Sequence, residues 1–244
     1  MRVVHITFAD NNMSQSAIVC RDSALKHGAH HSIMFNERCY DPLFYNLNKD
    51  VLDKERGAGY WLWKPYIIYN NLCRLNEGDV LVYTDAGVEI VNDLNIIIDK
   101  MDSDVFLFGN NYKHLDWCKM SVMNGIFPRW DTKFNKGNRQ IQASAIFIRN
   151  TKAARLFIGQ WLKYCQLDGF IDDSLSTDYN YPTFQEHRHD QAILTCLAYK
   201  HGLKLHWWPA HYNGGQFIYD KDQQFQDDDY PVIFHHHRKR NNEW

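Results

Sequence analysis

Residues 79–87 read DVLVYTDAG. The run Val80–Leu81–Val82–Tyr83 is continuously apolar or aromatic instead of alternating, the pattern of a strand covered on both faces in a parallel sheet. It ends in an acid followed by Ala86 and Gly87, small residues that leave the Asp85 carboxylate open to a ligand. Working outward, RVVHITF (2–8) and DVFLF (104–108) carry the same character. Helical segments fall between these strands. One spans 14–27 and is closed by Gly28, one opens at Pro65 and closes near Gly78, and a third starts near Asp93. Proline at the start and glycine past the end is the expected asymmetry of helix termini.

In the second half, IQASAIFI (141–148) reads as a strand. Residues 151–165 form an amphipathic helix with Ala154, Phe157, Ile158, Trp161, Leu162 and Cys165 on one face. A loop-rich stretch, 167–186, leads to a helix at about 190–201 that Gly202 ends, and strands near 203–207 and 231–235 follow. This alternation predicts an α/β fold: a mainly parallel central sheet with helices on both faces and some antiparallel late strands. No linker-like stretch cuts the chain, so residues 1–244 are expected to form a single domain.

Composition narrows the function. Among 244 residues, 45% are hydrophobic and 23% charged, which excludes wholesale disorder. The formal charge of −2 argues against nucleic acid or an anionic membrane as a partner met by bulk charge. Aromatic residues reach 15%, which favours a ligand with flat faces, since Trp and Tyr stack on bases and sugar rings. The six cysteines show no C-x-x-C pair, so they read as free buried thiols. No secretory leader or transmembrane segment is evident, and a cytoplasmic location is expected.

Ligands of open α/β sheets bind outside the carboxyl ends of the strands. Polar residues stand there in Ala9–Asp10–Asn11, Asp85–Ala86–Gly87 and Gly109–Asn110–Asn111. Asp10 reads equally as a turn former or a ligand contact. The stretch RGAGYWLWKP (56–65) joins two glycines and an arginine, suited to close approach of a phosphate, with Lys64 at the start of a helix. Tyr60, Trp61 and Trp63 either stack on a ligand or fill the core. HRHDQ (187–191) puts Asp190 at a helix start, as a cap or as a carboxylate aimed into the cleft, with Gln191 beside it as an amide donor. FHHHRKR (234–240) offers imidazoles for a metal; in a strand His235 and His237 share a face and His236 faces away.

Together, RGAGYWLWKP, YTDAG (83–87), QIQAS (140–144), HRHDQ and HHRKRN (236–241) resemble the motifs of small GT-A glycosyltransferases from bacterial polysaccharide clusters and large DNA viruses. The resemblance implies a GT-A-like fold and transfer of a sugar from a nucleotide-diphospho-sugar, of UDP or GDP type, to a glycan hydroxyl acceptor in polysaccharide synthesis. It further implies a divalent metal, Mn2+ or Mg2+, that neutralises the diphosphate. The second Asp of the family's D-x-D is missing here, which leaves Asp85 with His235 and His237 as metal ligands, His236 as their substitute, and Glu89 nearby. Asp10, Arg56, Tyr60, Lys64, Ser144 and Gln191 are the expected donor-binding residues, and Asp190 the catalytic one. Rival readings are a non-catalytic carbohydrate-binding module and a sugar-phosphate nucleotidyltransferase. The latter calls for a Gly-rich basic loop after the first strand, and TFADNNMSQSA has none.

Overall fold

The computed structural model describes residues 1–127, 137–212 and 230–244, with the backbone of 215–216. Its strands are β1 (Val3–Phe8), β2 (His31–Phe35), β3 (Val80–Thr84), β4 (Val88–Ile90), β5 (Val105–Lys113), β6 (Arg139–Arg149), β7 (Leu205–His206), β8 (Ala210–Tyr212), β9 (Gly215–Gln216) and β10 (Phe234–His236). The helices are α1 (Ser14–Lys26), α2 (Pro42–Leu47), α3 (Lys49–Leu52), α4 (Gly57–Tyr60), α5 (Trp63–Leu72), α6 (Asn95–Ile98), α7 (Met120–Ile126), α8 (Lys152–Cys165) and α9 (His189–Lys200).

The main sheet has the order β2-β1-β3-β6-β5-β7, and a smaller one runs β4-β10-β8-β9. β1 pairs in parallel with β2 and β3, with Val3 opposite Val80 and Ile6 opposite Tyr83. Every residue of β1 and β3 is buried, as their unbroken apolar runs demand. The parallel register brings the ends of both strands, and so Asp10 and Asp85, to one edge.

The expected α/β class, a mainly parallel sheet with helices on both faces and some antiparallel pairing, is the one observed, and three details differ. Its antiparallel member is β6, in the middle of the sheet between β3 and β5, and not only the late strands. β5 runs on to Lys113, so Gly109–Asn110–Asn111 is no strand end; its register shifts after Leu107 instead. Helices do not cover both faces alone. One face carries α5, α8 and α9, with Tyr66, Ile67, Phe157, Trp161 and Leu194 in a continuous core. On the other, Val82, Phe106, Phe108 and Phe147 meet α6 and residues of the small sheet, Phe234 among them.

α8 shows how sequence becomes packing. The Thr151 hydroxyl accepts from Ala154 N at 3.1 Å and caps the helix, an interaction commonly worth ~1 kcal/mol. Phe157, Ile158 and Trp161 then face the core, each contributing roughly 1.5–3 kcal/mol. Trp161 also donates from Nε1 to Asp190 O at 3.0 Å, which ties α8 to the first turn of α9. No helix among the described residues is long and apolar enough to cross a membrane.

Candidate active site

A cleft of about 560 Å3 opens at the carboxyl edge of β1 and β3. Its walls come from the β1 end (Asp10), the 56–64 segment, Asp85–Gly87, β6 (Gln142–Ser144), the start of α9 and the C-terminal segment.

At its floor Lys64, 3% exposed, lies between two carboxylates. Its Nζ is 3.1 Å from Asp85 Oδ1 and 3.4 Å from Asp190 Oδ2, and it donates to Ala143 O at 3.3 Å. Burial opposes the Lys64 charge, but Asp190 and Asp85 outweigh it and keep the ammonium protonated. Asp85 also accepts from Tyr83 Oη at 2.5 Å. Burial works to raise its carboxyl, yet Lys64 and this hydroxyl hold it below the usual carboxylate range. Asp190 moves the other way: burial, with the Asp85 charge adding, lifts it to about 6 despite Lys64. Its buried Oδ2 has only the long Lys64 contact and no closer hydrogen bond among the described residues. Above pH 6 the trio therefore carries a net −1, which leaves room for one cationic species.

The backbone around this floor is strained. Gly57, Ala58, Gly59, Tyr60 and Trp61 have φ of 61, 49, 94, 51 and 61°, a left-handed turn in which Trp61 N donates to Gly57 O at 3.1 Å. Such conformations cost roughly 1–2 kcal/mol per non-glycine residue and persist only where tertiary contacts enforce them. His189 (φ 45°) and Arg238 (φ 56°) are the other non-glycine examples among the described residues, and both line the cleft.

The C-terminal segment closes the site. His237 N and Arg238 N donate to Gly87 O at 3.0 and 3.1 Å, and Asn241 N to Asn12 O at 2.9 Å. A Cβ on Gly87 would stand 2.8 Å from Arg238 Cα, so glycine there is what lets the tail lie down beside Asp85.

Several expected residues take different places. His236, not His235 or His237, faces the cleft beside Asp85. Phe234 seeks the core, and strand alternation carries His236 to the same face. His235 instead meets Glu89 across the strand pair at 3.5 Å, and His237 Nδ1 accepts from Lys239 N at 3.0 Å. Burial, then Arg238, depress His236 to about 3, so it is a neutral imidazole; its Nδ1 has no partner. Asp190 is the second residue of α9 rather than its cap. Asp10 lines the cleft, but its Oδ1 accepts from Asn12 N and Met13 N, so it also forms the turn into α1. Tyr60 lies behind the wall, its ring stacked on His189 at 5.1 Å. Trp63 is a core residue stacked on Phe8 at 3.9 Å.

Arg56 reaches the cleft while paired to Asp173 and Glu186 at 3.2 and 3.1 Å. Ser144 accepts from Gln142 Nε2 at 2.7 Å, and Gln191 donates to Gln140 Oε1 at 2.6 Å; both line the cleft. The sequence reading missed Arg188 and Arg240, which with Arg56 and Arg238 put four guanidinium groups on the cleft wall. Arg188 lies over Trp117 at 4.4 Å, its position fixed by aromatic contact. The clue to it was HRHDQ itself, where only the acid and the amide were singled out.

Among solved structures the chain is similar to mouse xyloside xylosyltransferase 1, at 8% identity and a TM-score of 0.52, over 100% of this chain and 98% of that one. It is also similar to the galactosyltransferase LgtC solved with donor and acceptor sugar analogs, at 14% identity and a TM-score of 0.50, covering 98% and 87% of the two chains. The bifunctional glycosyltransferase WbbM matches at 11% identity and a TM-score of 0.53, over 87% of this chain and 40% of its own. No family model matches the chain, and no curated protein matches it in sequence. The fold is the GT-A fold of glycosyltransferases.

Proposed function

We propose that the protein transfers a sugar from a nucleotide-diphospho-sugar to a hydroxyl of a glycan acceptor. The observation that carries this reading is the buried Lys64–Asp85–Asp190 trio, at the floor of a cleft whose wall holds four arginines. A carbohydrate-binding module needs neither a carboxyl lifted to about 6 nor cations arranged for a diphosphate.

Asp85 and His236 fit a divalent ion, Mn2+ or Mg2+, as a two-residue set: one carboxylate and one neutral imidazole, whose lone pair is free for the ion once Nε2 gives up the hydrogen bond it accepts from Arg238 Nε at 3.2 Å. Such ions commonly take one or two protein ligands and complete their coordination with phosphate oxygens and water. The ion would supply charge neutralisation for the departing diphosphate. The chain's own residues do the rest. Arg56, Arg188, Arg238 and Arg240 offer further donors to phosphate oxygens. Asp10, Ser144 and Gln191 offer polar contacts to the ribose or the donor sugar. Lys64 keeps Asp85 ionised and balances the charge beside Asp190. Asp190, ionised above about pH 6, either takes the proton of the acceptor hydroxyl or stabilises positive charge at the anomeric carbon.

An NMR screen of UDP- and GDP-sugars, with and without Mn2+, tests the proposal. Donor-specific hydrolysis or transfer that requires Asp190 supports it. Binding of free glycans with no nucleotide affinity would make the protein a lectin-like module instead.

A further inference from the structure

A second group of reactive side chains is sealed inside the protein, away from the nucleotide cleft. β5 leads into a single turn, His114–Asp116, and then to Cys118 just before α7; Cys196 lies on α9. His114, Cys118 and Cys196 are each 0% exposed. His114 Nε2 is 3.2 Å from Cys196 Sγ, and the two sulfurs are 4.0 Å apart. Among the described residues no other group of three His, Cys, Asp or Glu brings its ligand atoms within 4.8 Å of one another. A tetrahedral zinc ion with Zn–S of about 2.3 Å and Zn–N of about 2.0–2.1 Å places its ligands about 3.8 Å (S to S) and about 3.5 Å (S to N) apart. The observed separations differ from these by only a few tenths of an ångström.

A fourth donor stands beside the group. His187, 4% exposed, is held by Lys119 N, which donates to its Nδ1 at 3.3 Å. Lys119 adjoins Cys118, and His187 Nε2 is buried with no hydrogen-bond partner. An orphaned buried ring nitrogen is costly and points to a missing ligand. A Cys118–Cys196 disulfide would leave that nitrogen orphaned.

We propose that His114, Cys118 and Cys196 bind a structural zinc ion, with His187 as the fourth ligand once it gives up its long contact to Lys119. Binding displaces the two thiol protons to solvent, and no electrons are exchanged. The ion would join the β5–α7 connection to α9, the helix that carries Asp190. The far ring nitrogen of His114 meets the Gln140 amide at 3.4 Å, and Gln140 accepts from Gln191 at 2.6 Å.

The test uses the full chain without an affinity tag, purified without chelator from zinc-replete medium. Elemental analysis is expected to give about one zinc per chain, retained in Asp85→Ala, which cannot hold an ion in the cleft. Replacing zinc by Co2+ should produce thiolate-to-cobalt charge-transfer absorption, a signature that Asp85 and His236 cannot generate. Cys118→Ser should weaken that absorption, and Co2+ spectra of the unaltered chain stand even where this variant fails to fold. Zinc below about a tenth of an ion per chain, with no charge-transfer band on Co2+ addition, overturns the proposal. So does copper in place of zinc, or a Cys118–Cys196 disulfide found by alkylation and mass analysis.

Discussion

The Lys64–Asp85–Asp190 trio and the His114–Cys118–Cys196 group both rest on α9, the first at its start and the second further along. Their chemistry is opposite. The trio is made of hard, charged groups, opens on a cleft of about 560 Å3, and is framed by left-handed backbone at Ala58, Tyr60, Trp61 and His189. The thiol–imidazole group is soft and fully closed, and none of His114, Cys118 and Cys196 itself has a left-handed backbone. A site whose charge changes during a reaction must keep space for the changing species and hold its groups against their solvation preference. A site that holds one ion permanently needs only closure and matched donors.

The largest effect should come from Asp85→Ala. Transfer per folded molecule is expected to fall by a thousandfold or more, on the order of the several kcal/mol a diphosphate-bound metal supplies, and metal-dependent nucleotide affinity should fall with it. Near-parental activity in the folded variant would reduce Asp85 to a turn former. Lys64→Met comes next. It leaves two buried carboxylates without their cation, and thermal or denaturant unfolding should register a loss of about 3–5 kcal/mol, with bound zinc unchanged until the chain unfolds. An equally stable variant would show that the carboxylates share a proton or reach water without help.

Asp190→Asn separates chemistry from packing. The variant should stay folded and bind donor while turnover falls about a hundredfold or more, the usual scale for acid–base groups. In the parent, the active carboxylate accumulates as pH rises through about 6, so activity should decline below that pH. If the proton on Asp190 were irrelevant, the pH–rate profile would show no acid limb there.

The smallest effect concerns histidines that burial keeps neutral. His5, bonded to Ser32 and Thr84, is depressed to about 3, as is His236. The unfolded chain therefore takes up protons first as pH falls below about 6.5. The stability these residues contribute is intact above that pH and is lost as pH falls towards about 3. By pH 5 the loss should be about 2 kcal/mol for each, read as a lower Tm. His5→Gln should flatten this dependence without moving the acid limb of activity, and a shift of both together would merge the two effects.

The buried strands were legible in the sequence because the requirement is local. A strand covered on both faces must be continuously apolar, and RVVHITF and DVLVYT are. Their parallel pairing then carries Asp10 and Asp85 to one edge with no further information. The α9 helix, its acid and its amide were likewise readable from HRHDQ, Gly202 and the apolar run between them. Other features were decided only by tertiary structure. Strand alternation separates His236 from His235 and His237, but which face turns inward follows from Phe234 entering the core opposite β4. Lys64 looked like a free cation at a helix start, and only folding seats its ammonium between carboxylates from positions 85 and 190. The zinc ligands proposed at 114, 118, 187 and 196 come from two stretches far apart in the chain, 114–118 and 187–196, which only folding brings together. Local physics fixes periodicity and chain ends; which distant polar atoms share a buried volume depends on how the helices close over the sheet.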